Sequence, residues 1–298
     1  MKHLHIEHRT LFHYQNDVLL AHHLAHLRPI KTMWQKPMSY QLRVDPLPDV
    51  QREDQDVFGN NRCFFSIIQP HRELSVTACS DIQKLPQYSD FNAAETSSWE
   101  VVKESLTYSL DLPYQPASEF VWPSPLVPWL PELRDYAKPS FTRGKPLALA
   151  CLDLKRRIHA DFEVDNTPGE LHTSLAQVMQ RRRGVSQDLA HVMIGCLRAM
   201  GLAARFVNGY VLDVIGQQEL ASDRGSHQTT QAWVSVYCPQ APGLWLDLDP
   251  VNDTIADISH VCLAIGRDFS DASPLRSILR GGGVRSLRSE IQVRETQL

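Results

Sequence analysis

One predicted helix with a well-marked start constrains the fold of this chain more than any other stretch. Apolar residues recur along it at helical spacing: Leu189, Met193, Ile194, Leu197 and Met200. Ser186 stands where a side-chain cap is favoured, Asp188 places negative charge in the first turn, and Gly201 is a natural stop. The pattern predicts a buried helix that begins at Ser186.

The start of such a helix suits an anion, because its free N–H groups and the positive end of its dipole stabilise a thiolate or an oxyanion. Two strands are predicted downstream. Residues 231–237 alternate along one, and residues 245–249 form the other, which ends at the turn Asp249-Pro250. The predicted centre of the molecule is therefore a helix followed by two strands.

The sequence of these three elements resembles the transglutaminase-like superfamily, whose papain-like core uses a Cys-His-Asp triad. The motifs that carry the resemblance are GVSQDLAH at 184–191, QAWVSVY at 231–237 and WLDLDPVN at 245–252. In that family the nucleophile precedes Gln-Asp, the base precedes Ala-Trp and the orienting Asp precedes Pro. These triad positions hold Ser186, Gln231 and Asp249 here, so two of the three residues differ from the family pattern.

The substitutions remove the chemistry that the resemblance implies. A serine hydroxyl needs a base within hydrogen-bond reach, and the amide of Gln231 does not titrate near neutrality. His191 lies about 140° round the helix from Ser186, and His227 would stand about 13 Å from Gln231 if the strand extends that far. The sequence does not place two further histidines, His172 and His260.

We therefore expect an inactive triad and a non-catalytic protein that binds a peptide, an amide-bearing ligand or a protein partner. The alternative is an active amidase or peptidase in which Ser186 works with a base that the sequence does not identify. Candidate substrate-binding residues are Gln187, Asp188 and Trp233. Three of the named site residues also have a structural alternative. Trp233 is typical of a core aromatic, Ser186 of a helix cap and Asp249 of a turn residue, or of a hydrogen-bond partner for Gln231.

Composition limits the remaining possibilities. With 298 residues, 43% of them hydrophobic, the chain can bury a substantial core and is long enough for two compact units. A net charge of -4 without a long run of lysine or arginine predicts neither a nucleic-acid nor a membrane partner. The charged, alternating start and the lack of about 18 consecutive apolar residues favour a cytoplasmic location. We expect no cofactor, and the oligomeric state stays open.

Cysteine and histidine usage predicts no metal centre. The six cysteines are scattered without a C-x-x-C pair, which is typical of reduced core residues. Seven histidines lie between His3 and His26, but no cysteine or acidic ligand stands at a recognised interval from them. They are expected to be strand and loop residues.

The predicted fold class is α+β, with a β domain at 1–85, a Pro-rich ordered connector at 86–145 and a core with a C-terminal β tail at 146–298. Short helices are expected at 98–106 and 132–137. The motifs HRTLFHY, LRP, FGNN and PHREL in the first 75 residues resemble the β domain that precedes the core in a bacterial branch of the superfamily.

Overall fold

A computed structural model describes residues 1–110, 113–165, 173–212 and 230–296. Within these ranges the chain forms a large antiparallel sheet and a second, five-stranded sheet that carries the helices. The predicted α+β class is confirmed.

The first sheet is organised around one long strand. Its first five strands are β1 (Lys2–Ala25), β2 (Gln35–Asp45), β3 (Val50–Gln55), β4 (Asn61–Ile67) and β5 (His71–Lys84). They are ordered β2-β5-β1-β4-β3, and all their pairings are antiparallel. Along β1, buried residues such as Leu4, Ile6 and Phe12 alternate with more exposed ones. This alternation is the pattern from which the β domain was predicted.

The C-terminal strands complete this first sheet. Strand β13 (Leu275–Gly281) and strand β14 (Arg285–Glu295) both pair antiparallel with β1. The turn between them contains Gly281, Gly282 and Gly283 at φ values of 93, 87 and 65°, which glycine adopts readily. We had grouped this tail with the core. It pairs with β1 because the second edge of that strand offers unpaired N–H and C=O groups.

The proline-rich segment packs on the central helix. Its helices are α1 (Trp99–Ser105) and α2 (Pro131–Ala137), close to the predicted bounds, with 3-10 turns at Ala93–Glu95, Pro116–Val121 and Lys138–Ser140. Val127 and Leu133 are buried, and a side chain on Gly195 of the central helix would collide with both. Glycine at position 195 thus permits close approach of the segment to the helix.

The second sheet and its helices form the core. The helices are α3 (Leu147–Asp161), α4 (Leu175–Arg181), α5 (Ser186–Ala199) and α6 (Phe269–Ala272). Two short strands, β6 (Glu163–Val164) and β7 (Arg183–Gly184), pair in parallel. The sheet contains β8 (Ala204–Val211), β9 (Gln231–Tyr237), β10 (Trp245–Asp249), β11 (Thr254–Ile255) and β12 (His260–Gly266), in the order β11-β10-β9-β8-β12.

Helix α5 is the buried centre of the core, as predicted. It packs on β8 and β9, and its residues share one apolar cluster with Phe206, Val234 and Leu248 of the sheet. Helices α2, α3 and α4 surround its other sides. Among the described helices, none has the length and apolar character that a bilayer crossing requires.

Candidate functional site

Helix α5 begins at Ser186, but Ser186 is not its cap. The cap position is Val185, whose backbone N–H donates to Oδ2 of Asp188 across 3.0 Å. Burial raises the pKa of Asp188, and this hydrogen bond opposes the shift. The prediction that Ser186 caps the helix is wrong because the cap position lies one residue earlier. The carbonyl of Val185 accepts the N–H groups of Asp188 and Leu189, so the serine hydroxyl is not needed as a cap.

The Ser186 side chain is partly buried and makes no hydrogen bond with the described residues, and the same holds for Gln187. As the first two residues of α5, both have backbone N–H groups without an acceptor inside the helix. The start of α5 therefore offers two amide donors, a hydroxyl and a side-chain amide at a partly exposed position.

Chain geometry brings the start of α5 toward Gln231. A tight turn joins α5 to β8, with the N–H of Leu202 donating to the carbonyl of Leu197, so the helix and strand run in opposite directions. The helix is about 20 Å long and the strand about 26 Å. Ser186 thus lies toward the end of β8, where Gly209 pairs with Gln231. The Gln231 side chain is partly buried and makes no hydrogen bond with the described part of the chain.

Asp249 is enclosed by its own turn. It is 1% exposed, and its Oδ1 accepts the backbone N–H groups of Val251 at 2.8 Å and Asn252 at 3.0 Å. Its Oδ2 accepts from Nδ2 of Asn252 at 2.7 Å and from Nε2 of His260 at 3.0 Å. Burial raises the pKa of Asp249, but the hydrogen bonds from His260 and Asn252 outweigh this and hold it below its usual value.

The expected hydrogen bond from Gln231 to Asp249 is not formed. The two carboxylate oxygens of Asp249 already accept four hydrogen bonds, two at each oxygen, so no acceptor site is left for the amide. The turn-shaping role that we considered for Asp249 agrees with its contacts to Val251 and Asn252.

His260 is the imidazole that Asp249 holds. It is 4% exposed, its ring meets the edge of Trp233 at 5.2 Å between centroids, and its Nδ1 lies 3.1 Å from the hydroxyl of Ser259. Nε2–H donates to the carboxylate, and Nδ1 faces the hydroxyl of Ser259. The two ring nitrogens of His260 therefore contact Asp249 and Ser259, and neither contacts Ser186.

The sequence did not place His260, because the pairing depends on strand register. His260 lies opposite Val211 in β8, while Leu248 lies opposite Val234 in β9. No motif near His260 reports this long-range register. The neighbouring Ser259 is the local feature of the sequence beside His260, and it does not indicate that Asp249 is the partner of His260.

The other predicted site residues are used within the fold. Trp233 is 2% exposed and packs with Val207 and Val211, so its ring does not agree with the predicted substrate contact and instead fits the core alternative. His191 is buried, accepts the Phe269 N–H at Nε2 across 3.1 Å and has a pKa lowered to about 4 by burial. Its ring therefore faces α6.

His172, which the sequence could not place, and His227, which was expected about 13 Å from Gln231 on an extended strand, lie outside the described residues. Within the described ranges, no group of three or more His, Cys, Asp or Glu residues is arranged to hold a metal ion. All six cysteines are free thiols.

Comparisons with known proteins agree with this architecture. Residues 4–83 match the bacterial transglutaminase-like N-terminal region, and residues 137–250 match the transglutaminase-like superfamily. An uncharacterized protein of Mycobacterium tuberculosis is 32% identical over 280 residues, which cover 92% of this chain and 86% of the relative. An uncharacterized protein of Mycobacterium leprae is 25% identical over 297 residues, 97% of each chain.

A solved structure has the same fold. A candidate cysteine protease from Cytophaga hutchinsonii superposes with a TM-score of 0.75 and 17% identity, covering 100% of this chain and 91% of its own. At this identity the likeness concerns the fold, including the arrangement of the first sheet beside the core.

Proposed function

Because this chain belongs to the transglutaminase-like superfamily, we propose that it is a non-catalytic member that binds an amide-bearing ligand, such as a peptide, at the start of α5. One observation carries the proposal. Asp249, at the position of the orienting acid, is engaged by its own turn and by His260, and none of the described imidazoles hydrogen-bonds to Ser186.

Acyl transfer at Ser186 requires a group that accepts the hydroxyl proton. A hydroxyl is a much weaker acid than a thiol, so the dipole of α5 does not ionise it without a base. Gln231 offers an amide, which exchanges hydrogen bonds but does not take up a proton near neutrality. The two family residues that create a nucleophile are thus replaced together.

The same groups are suited to recognition of amides. A peptide group presents one N–H donor and one carbonyl acceptor. Gln187 and Gln231 each carry a donor and an acceptor on one side chain, and the first N–H groups of α5 are directed to an acceptor. A peptide carbonyl at the helix start and a side-chain amide beside Gln231 would be matched by these groups.

The test is to titrate the full-length protein with N-acetyl-glutaminyl-glycinamide by calorimetry and to analyse the peptide by mass spectrometry. We expect binding that Gln231→Leu weakens several-fold and recovery of an unchanged peptide. Release of ammonia or cleavage of the peptide by the wild type, lost in Ser186→Ala, would establish the amidase alternative. Absence of binding would remove the proposed ligand class.

A further inference from the structure

A cavity lies where the first sheet, the proline-rich segment and the core meet. Its volume is about 770 Å³, within the range of small-molecule sites. His26 and Phe58 line it from the first sheet and its loops, Phe120 from the proline-rich segment, and Arg205 and Ile265 from the core sheet. None of the triad positions lines this cavity.

Three aromatic rings contact one another in a row beside this cavity. The centroid of Phe58 lies 5.9 Å from that of Phe120, and Phe120 lies 5.6 Å from Trp245 in an edge contact. The guanidinium carbon of Arg205 stands 3.9 Å from the centroid of the Trp245 ring. At this distance the guanidinium makes a cation–π contact with the face of the ring.

The other charged groups around the cavity are already engaged. Arg267 makes a two-pronged ion pair with Asp271, at 2.8 and 3.0 Å. Asp56 accepts the backbone N–H groups of its own turn, and Arg276 donates to the carbonyl of Ser270. Glu119, which also lines the cavity, accepts from the Tyr114 hydroxyl. Arg276 keeps its charge, since its partner is a neutral carbonyl, but each of these groups has a polar partner.

Arg205 is the exception. Its guanidinium makes no hydrogen bond or ion pair with the described residues, and its Nε is buried without an acceptor. Asp247 stands in the same cross-strand row, but Ser235 lies between them, which separates the backbones by about 10 Å. Burial lowers the pKa of Arg205, and the charge of Asp247 partly offsets this. Burial of an unpaired cation is costly, so an anion at this point would be strongly favoured.

We propose that this cavity binds a small organic carboxylate with a flat apolar group, the carboxylate on Arg205 and the apolar group on Phe58 and Phe120. A planar guanidinium matches a carboxylate in two parallel hydrogen bonds, and an aromatic wall favours a flat partner. This site is separate from the start of α5 and does not depend on the function proposed there.

The test compares two probes that differ in one group, N-acetyl-L-phenylalanine and N-acetyl-L-phenylalaninamide, in calorimetric titrations of the full-length protein. We expect the acid to bind with a Kd at or below about 1 mM and at least about tenfold more tightly than the amide. Arg205→Gln is expected to abolish this preference, whereas Arg72→Gln, an exposed arginine paired with Asp17 outside the cavity, keeps it.

A third variant separates binding from folding. Ile265→Trp places a larger side chain in the cavity without changing its charge, and we expect it to abolish binding of both probes while the protein still melts cooperatively. Titration with Gly-Gly-Phe then tells whether the carboxylate is that of a small free acid or that of a peptide C-terminus. If the cavity admits a peptide C-terminus, Gly-Gly-Phe would bind like the acid. Equal affinity for acid and amide, binding of neither, or full acid binding by Arg205→Gln or Ile265→Trp would overturn the proposal.

Discussion

Nε2 of His260 donates to Oδ2 of Asp249 across 3.0 Å, and both side chains are almost completely buried. The family pattern assigns the residue at 249 to orient an imidazole at 231. In this chain Asp249 orients an imidazole on a different strand, β12, and the position at 231 carries an amide. This pairing joins two strands of the core sheet through a buried carboxylate–imidazole hydrogen bond.

Loss of this pair is expected to cost stability. His260→Phe leaves the Asp249 carboxylate buried with one partner fewer, which we expect to lower the free energy of unfolding by about 3 kcal/mol at pH 7. Ser259→Ala removes only the outer hydrogen bond and should cost about 1 kcal/mol. Urea unfolding of the three proteins measures both values. Equal stability of His260→Phe and the wild type would show that the pair does not stabilise the fold.

Stability is expected to fall in mild acid. Burial lowers the pKa of His8, His23 and His191 from 6.5 to about 4. The unfolded chain then binds more protons between those pH values, so the contribution is complete above pH 6.5 and lost as the pH falls toward 4. Each histidine is expected to contribute up to about 3 kcal/mol to this loss.

Urea unfolding at pH 7, 6 and 5 tests the dependence. The fall in the free energy of unfolding between pH 7 and pH 5 should be smaller in His191→Gln than in the wild type. A stability that stays constant from pH 7 to pH 5 would contradict the buried neutral state of these rings.

Restoration of the family residues should restore thiol reactivity. We expect the thiol of Ser186→Cys with Gln231→His to react with iodoacetamide at pH 6 about tenfold faster than that of Ser186→Cys alone, because a neighbouring imidazolium lowers a thiol pKa. Both variants have the same helix start, so the effect of the helix dipole on the thiol is the same in both. Equal rates would mean that position 231 is not the place of the lost base.

Gly209 is expected to be intolerant of a side chain. A Cβ there would lie 2.0 Å from the carbonyl oxygen of Val261 and 2.5 Å from the ring of Trp233. We therefore expect Gly209→Ala to lower the free energy of unfolding by more than about 3 kcal/mol. Gly144→Ala is the matched control, because Gly144 has a φ of 71° and open space, so only backbone strain of about 1 kcal/mol applies. A similar, small loss in both variants would contradict the close strand approach.

Local patterns in the sequence were sufficient for the elements that depend on local physics. The apolar spacing from Leu189 to Met200 predicted α5, and the alternation at 231–237 predicted β9 with the observed bounds. The turn at 281–283 is likewise local, because its three glycines adopt positive φ values readily.

Long-range pairings were not accessible in the same way. The sequence assigned the C-terminal tail to the core, although its strands complete the sheet of β1, more than 250 residues earlier. The partnership of His260 with Asp249 and the cross-strand row that holds Arg205 and Asp247 both depend on strand register. The cap of α5 was misassigned by one residue, since the carbonyl of Val185 accepts the N–H groups of Asp188 and Leu189, and the Asp188 carboxylate accepts the N–H of Val185.

The most direct test of a non-catalytic Ser186 is its reaction with a fluorophosphonate, which reports every base that reaches the hydroxyl, from any part of the chain. Full-length wild type and Ser186→Ala are incubated with the probe at pH 7.5, digested and analysed by peptide mass spectrometry. We predict no adduct on Ser186 and the same labelling of both proteins. A stoichiometric adduct on Ser186 that Ser186→Ala lacks would contradict the account and establish a working serine nucleophile.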